Sequence, residues 1–132
     1  MCIRDSEKIV AAPATVSPDH LAKSGKKAAV EGVRDRRVLS DGTRSVEIRQ
    51  IAGIQHADDM LMVYLPKEKL LIEADAYTPP APNTAPMSPP SPFTVSLTEN
   101  VKNQGLAVDQ ILPLHGRMVP VAELYKAAGV TP

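Results

Sequence analysis

The stretch IQHADDMLMVYLPKEKLLIEADAYTP, residues 54–79, decides the fold of this 132-residue chain. It contains two apolar runs, MLMVYL and KLLIEA, joined by PKEK, in which Pro66 favours a turn and the charged side chains keep that turn in water. Strands that are apolar on both faces are usually buried on both sides. The stretch therefore predicts a hairpin near the middle of a sheet that is covered on each face.

A second hairpin is predicted before it, in RRVLSDGTRSVEIRQI, residues 36–51. Asp41-Gly42 has the composition of the two central residues of a type I′ turn, where positive φ is needed. After this turn, Val46 and Ile48 alternate with polar residues. This alternation with a period of two residues predicts a strand with one solvent-exposed face.

Helix and strand signals also follow the central hairpin. Ser91 and Pro92 begin a predicted helix that Gly105 ends, and DQILPLHG, residues 109–116, is typical of a short buried strand. PVAELYKAAG, residues 120–129, predicts a last helix. The order of strands, helix, strand and helix predicts an α/β fold with helices packed on a mixed sheet.

Proline and glycine mark the remaining boundaries. Seven of the 13 prolines fall in residues 79–92, where neither a helix nor a central strand can form, so we predict an extended surface loop within the domain. Near the N-terminus, Ser17 and Pro18 are typical of a helix start and Gly25 of a helix end. His20 lies in that short polar helix, and we expect it to be exposed.

The composition limits the classes of partner. Lys plus Arg and Asp plus Glu are both 15, and this zero net charge argues against nucleic acid or an anionic membrane as the main partner. No apolar run approaches the roughly 20 residues of a membrane helix. The single cysteine, Cys2, excludes an internal disulfide.

Three side chains are candidate metal ligands: His56, Asp75 and His115. Each lies at the end of a predicted strand or just before one, which is where layered α/β folds carry their sites. Neutral imidazole and carboxylate suit zinc and similar metals. Taken singly, each residue has a structural explanation. His56 could be a hydrogen-bonded histidine at the start of a strand, Asp75 could cap the following loop, and His115 could lie in a turn. Their joint order and spacing favour the metal site.

The same residues resemble the metallo-β-lactamase fold, a family of mostly dinuclear metal hydrolases. The resemblance is carried by the histidine before MLMVYLPKEKLLIEAD, by the aspartate that ends this run and by ILPLHG, and it covers residues 7–128. It implies a partial αββα sandwich, with helices packed on a mixed sheet. It also implies that His56 completes the three-histidine site of a first zinc ion, that Asp75 bridges two zinc ions and that His115 binds the second.

The resemblance implies a metal-dependent hydrolase with a small-molecule substrate. A bridging hydroxide would attack an ester, amide, thioester or phosphoester-type bond in the intact protein. The family's main ligand motif, His-x-His-x-Asp-His, does not occur in this sequence. We therefore expect residues 7–132 to be the C-terminal portion of one such domain, with weak zinc binding or none and no hydrolysis by the chain alone.

The first six residues, MCIRDS, resemble a hexapeptide that recurs at the start of translated metagenomic assemblies. We expect residues 1–6 to be a non-native leader. The alternative to the hydrolase is a non-catalytic binding module in which the histidines are structural. If one half of a four-layer fold stands alone, its exposed apolar strands favour self-association.

Overall fold

The computed structural model describes residues 3–12, 16–54 and 60–130, and the chain divides into two compact units, Met1–Gly32 and Val33–Pro132. The first unit contains helices α1 (Ile3–Ala11) and α2 (His20–Ser24). Helix α2 begins one residue after Asp19, whose Oδ1 accepts the Ala22 N–H at 2.8 Å, so the predicted cap at Ser17 was wrong. His20 is exposed, as predicted.

The second unit is a six-stranded mixed sheet with helices. Its strands pair in chain order, and every neighbouring pair is antiparallel except β4 and β5, which are parallel. Helix α3 lies in the β4–β5 crossover and α4 follows β6, which confirms the predicted α/β class. The elements are β1 (Arg36–Ser40), β2 (Ser45–Gln50), β3 (Leu61–Leu65), β4 (Leu70–Glu73), α3 (Pro92–Asn103), β5 (Gln110–Pro113), β6 (Val119–Pro120) and α4 (Val121–Ala127).

The turn of the first hairpin differs by one residue from its prediction. Ser40 pairs with Ser45, and the Asp41 N–H donates to the Arg44 carbonyl at 3.3 Å, so Gly42 and Thr43 are the central residues. Asp41 Oδ1 accepts the N–H groups of Thr43 and Arg44, both at 2.8 Å. The aspartate therefore closes the turn, and Gly42 supplies the positive φ of 89°.

The central hairpin is buried on one face and half-open on the other. Met62 and Leu71 are buried with Leu97 and Val101 of α3 in the main core. On the opposite face Leu61 is 39% exposed, so the predicted cover on both faces was wrong for the described residues. The other apolar residues of this open face are Leu39, Val46, Ile48, Val63, Leu65, Leu70, Ile72 and Leu112.

Strand β2 reverses the predicted orientation of its polar residues. Glu47 is only 8% exposed, and its carboxylate accepts Arg36 Nη2 at 2.9 Å and Arg49 Nε at 2.8 Å. Val46 and Ile48 lie on the half-open face instead. Two guanidinium groups offset the cost of burying the carboxylate, so a polar residue lies on the covered face.

Asn100 attaches α3 to the segment that follows β2. Its Oδ1 accepts the Ala52 N–H at 2.9 Å, and its Nδ2 donates to the carbonyls of Ala52 at 2.8 Å and Ser96 at 2.9 Å. The side chain is 7% exposed. Two of these hydrogen bonds join the helix to Ala52, four positions before His56 in the sequence, and the third lies within α3.

Replacing Asn100 should destabilise this attachment. We expect Asn100→Ala to lower the free energy of unfolding by about 2 kcal/mol, because the Ala52 N–H loses its partner and the Ala52 carbonyl keeps only Ser96 Oγ at 3.4 Å. Asn103→Ala, at an exposed position of the same helix, is the matched control and should change stability by under ~0.5 kcal/mol. Urea unfolding of the three proteins makes the comparison; equal changes in both variants would contradict a stabilising role for the contacts to Ala52.

Among the described residues, no helix is both long enough and apolar enough to cross a bilayer.

Candidate metal centre

The parallel pairing of β4 and β5 brings Asp75 and His115 together. Glu73 is in register with Pro113, and the Leu114 N–H donates to the Glu73 carbonyl at 2.9 Å. Asp75 and His115 each lie two residues beyond that last pair. Carboxyl ends of parallel strands meet at one edge of a sheet, so residues 40 positions apart in the sequence become neighbours.

The two side chains contact each other at this edge. His115 Nε2 lies 2.8 Å from Asp75 Oδ1, and the side chains are 62% and 42% exposed, respectively. The pair is open to solvent, so a ligand could reach both atoms. An imidazole nitrogen and a carboxylate oxygen are donors that zinc accepts. The structure thus places two of the three predicted ligands side by side, and their binding of a metal stays a prediction.

Glu73 supports the turn that carries Asp75. It is 3% exposed, and its Oε2 accepts the Ala76 N–H at 2.8 Å and the Tyr77 N–H at 3.2 Å. Glu73 Oε1 is buried without a hydrogen-bond partner among the described residues. The carboxylate thus fixes the backbone on the C-terminal side of Asp75.

Burial raises the pKa of Glu73 from its ordinary value of 4.5 to about 7. The N–H groups of Ala76 and Tyr77 oppose this shift, the negative charge of Asp75 adds to it, and the charge of His115 lowers it. The loss of water around an incompletely hydrogen-bonded carboxylate is the largest of these effects. The edge of the sheet therefore holds a carboxyl group that titrates near neutral pH.

The third predicted ligand, His56, lies outside the described residues, so its position relative to the pair is a prediction still. Within residues 3–12, 16–54 and 60–130, no three His, Cys, Asp or Glu side chains come together as a metal site. Asp75 and His115 alone supply two donors, whereas zinc sites commonly use three or four protein ligands. The donor chemistry fits zinc, and the donor count requires further ligands.

Sequence reasoning did not single out Glu73 or Asn100. A signal existed for the first, since Glu73 is the one acidic residue in the run KLLIEA. Asn100 follows Leu97 on the same helix and had no comparable signal, because a polar residue beside an apolar stripe is ordinary. Both were found only through their contacts with backbone groups.

The sequence matches no protein-family model and no curated protein. Its structure does match solved proteins. A metallo-beta-lactamase from Pontibacter korlensis superposes with a TM-score of 0.55 and 16% sequence identity, covering 83% of this chain and 52% of that one. The rubredoxin oxygen:oxidoreductase from Desulfovibrio gigas gives a TM-score of 0.57 and 19% identity, covering 83% and 34%. An archaeal metallo-beta-lactamase superfamily protein from Sulfolobus tokodaii gives 0.54 and 14%, covering 96% and 48%.

This chain has the metallo-β-lactamase fold. The chain spans about half the length of the Pontibacter and Sulfolobus proteins and about a third of the Desulfovibrio protein. The likeness confirms the resemblance inferred from residues 54–79 and from ILPLHG. At sequence identities of 14–19%, the structural likeness establishes the fold alone and not an activity.

Proposed function

We propose that this chain is the C-terminal part of a metal-dependent hydrolase of the metallo-β-lactamase fold, which cleaves an ester, amide, thioester or phosphoester-type bond in a small molecule. The observation that carries the proposal is the solvent-open pair of His115 Nε2 and Asp75 Oδ1, 2.8 Å apart at the end of two parallel strands. The match to solved proteins of this fold supports it.

In this proposal His56, Asp75 and His115 hold zinc, and the remaining ligands come from a segment with the His-x-His-x-Asp-His motif. Bound zinc ions supply a water of lowered pKa and polarise the oxygen of the scissile bond. The chain's own part is to fix the ligands: the ladder of β4 and β5 sets the separation of Asp75 and His115, and Glu73 holds the turn after Asp75.

Metal analysis tests the ligand assignment. In an intact relative that has both parts of the fold, we expect replacement of the residues equivalent to His56 and Asp75 by alanine to remove bound zinc, because each ion loses donors. Replacement of the residue equivalent to His20, which is exposed on α2 in this chain, is the control and should leave zinc content unchanged. An unchanged zinc content after the double replacement would contradict the assignment of His56 and Asp75 as ligands.

A second candidate is a non-catalytic binding module with structural histidines. The observation in its favour is that His115 Nε2 and Asp75 Oδ1 already contact each other at 2.8 Å. The coding sequence upstream of Glu7 discriminates between the two proposals. An in-frame extension that encodes His-x-His-x-Asp-His would support the hydrolase. A stop codon and a ribosome-binding site directly before Glu7 would support the binding module.

We also propose that the isolated chain associates with a second copy through the open face of the sheet. Leu39 is 48% exposed and Leu112 is 37% exposed on this face, and contiguous exposed apolar surface favours association. The zero net charge argues against nucleic acid or an anionic membrane as the main partner, so neither is part of the proposal.

Neighbouring residues of β1 provide a matched test of this association. Leu39 pairs with Val46 of the open face, whereas Val38 pairs with Glu47 on the other face and is 42% exposed. We expect Leu39→Lys to shift the self-association midpoint to at least ~10-fold higher protein concentration, and Val38→Lys to leave it unchanged. Sedimentation velocity over a concentration series measures both; a parent chain that stays monomeric throughout would contradict the proposal.

A further inference from the structure

A cleft of about 530 Å³ lies beside Asp75, between the turn after β4, the proline-rich loop and the start of α3. Its volume falls within the range of small-molecule sites, roughly 300–1,000 Å³. We call it the proline cleft. Its main apolar residues are Pro79, Pro80, Pro86, Met87, Phe93 and Ala127.

The proline cleft is continuous with the candidate metal centre, because Asp75 is itself one of its lining residues. Asp75 therefore both faces His115 Nε2 at 2.8 Å and lines the cleft. A molecule held at the Asp75–His115 pair would adjoin the apolar lining of this cleft.

Charge separates the proline cleft from its neighbour. Among the described residues, Asp75 is the one charged residue in its lining, whereas an adjoining cleft of about 580 Å³ is bordered by Arg117, Glu123 and Lys126. The lining therefore favours an uncharged group, because an anion would find no cationic side chain among these residues and Asp75 already faces His115 Nε2.

Hydrogen bonds hold the lining in place. Glu73 Oε2 accepts the N–H groups of Ala76 and Tyr77, and Thr94 Oγ1 donates to the Ala76 carbonyl at 3.4 Å. Pro79 is buried, and the prolines of this loop have a fixed φ. The part of the lining at Ala76, Tyr77 and Thr94 is thus ordered before binding and loses little entropy when a ligand enters.

We infer that the proline cleft binds an uncharged alkyl or acyl group of the substrate, and that the reacting bond then lies at the Asp75–His115 pair. This inference rests on the proposed hydrolase function for its reaction, but the cleft can be tested without metal or activity. It assigns the substrate class as one with an apolar substituent adjoining the scissile bond.

A series of straight-chain amides tests the apolar site directly. Butanamide, pentanamide and hexanamide share one uncharged head group and differ only in alkyl length. With the metal-free full chain, we expect the affinity to rise about fourfold per added methylene, hence about 15-fold from butanamide to hexanamide. The methyl resonance of Met87, labelled with ¹³C, should shift on titration because Met87 lines the cleft.

Two threonines of the same segment provide matched variants. Thr78 is exposed and lines the proline cleft, whereas Thr84 is exposed and lines only the adjoining one. We expect Thr78→Asp to weaken hexanamide binding at least ~10-fold, because the alkyl group would lie against a second carboxylate, and Thr84→Asp to leave it unchanged. If Thr78→Asp fails to fold, Met87→Ser against Met118→Ser, read by calorimetry, makes the same comparison.

Affinity that is independent of chain length, an unmoved Met87 signal or equal effects of the two threonine variants would overturn the inference. Shifts confined to leucine methyl groups of the open face would overturn it too, because binding would then lie on the sheet. Amide binding at Met87 with no zinc binding in a complete protein would retain the cleft and reject the hydrolase. Zinc binding without amide binding would retain the hydrolase proposal and reject the apolar cleft.

Discussion

Zinc should bind this chain alone with micromolar affinity or weaker, and at least ~1,000-fold more tightly once a polypeptide with the His-x-His-x-Asp-His segment is supplied, covalently or in trans. Two donors, Asp75 and His115, come together in the described residues, and His56 is the predicted third. Under the proposed arrangement, His56 and His115 serve different ions and do not converge on one. Zinc needs three or four close ligands, so the chain alone lacks donors for either ion.

Calorimetric titration of zinc into the chain and into the reconstituted protein measures both affinities and stoichiometries. His115→Ala should remove one of two sites in the reconstituted protein, and His20→Ala should remove neither, since His20 is an exposed residue of α2. Nanomolar binding by the chain alone would overturn the proposal that other ligands are needed. Two-site binding that survives His115→Ala would exclude His115 from the centre.

The stability of the metal-free chain should fall as pH rises from about 4.5 to about 7. Burial raises the pKa of Glu73 to about 7, so in this window the folded protein holds a proton that the unfolded chain releases. The contribution to the free energy of unfolding is fully present below pH 4.5 and is lost as pH passes through 7. A raised pKa of this size corresponds to about 3 kcal/mol.

Glu73→Gln isolates this effect. Glutamine keeps a side-chain oxygen that can accept the N–H groups of Ala76 and Tyr77 but does not titrate, so the variant should gain up to ~3 kcal/mol over the parent between pH 4.5 and 8. Glu99→Gln, at an exposed position of α3, should follow the parent. Urea unfolding with a chelator present, at half-unit pH steps, gives the profiles; parallel curves for the parent and Glu73→Gln would contradict the assignment.

Much of the fold was predictable, because its signals are local. Asp41-Gly42 marked the first hairpin, Pro66 the second, and Pro92 and Gly105 bounded α3 closely. What failed depended on other elements. Which face of β2 is covered is set by α3 and by the arginines that neutralise Glu47, and neither follows from the alternation of Val46 and Ile48.

The candidate site was predictable in part for a similar reason. Strand ends gave Asp75 and His115, and their contact follows once β4 and β5 are known to be parallel and in register. The role of Glu73 depends on a bend that returns two N–H groups to its side chain, and the proline cleft depends on how residues 79–91 fold against α3. Neither arrangement has a short-range sequence signature.

The crossover between β4 and β5 separates two properties that evolution could change independently. Asp75 and His115 are positioned by the strand ladder, whereas the lining of the proline cleft comes largely from the loop and helix that connect the strands. Loop length costs little free energy, because closure entropy grows only with the logarithm of length. Insertions or deletions in this connection can therefore reshape the proline cleft while Asp75 and His115 keep their separation, so under the proposed function the substrate can change while the metal ligands stay in place.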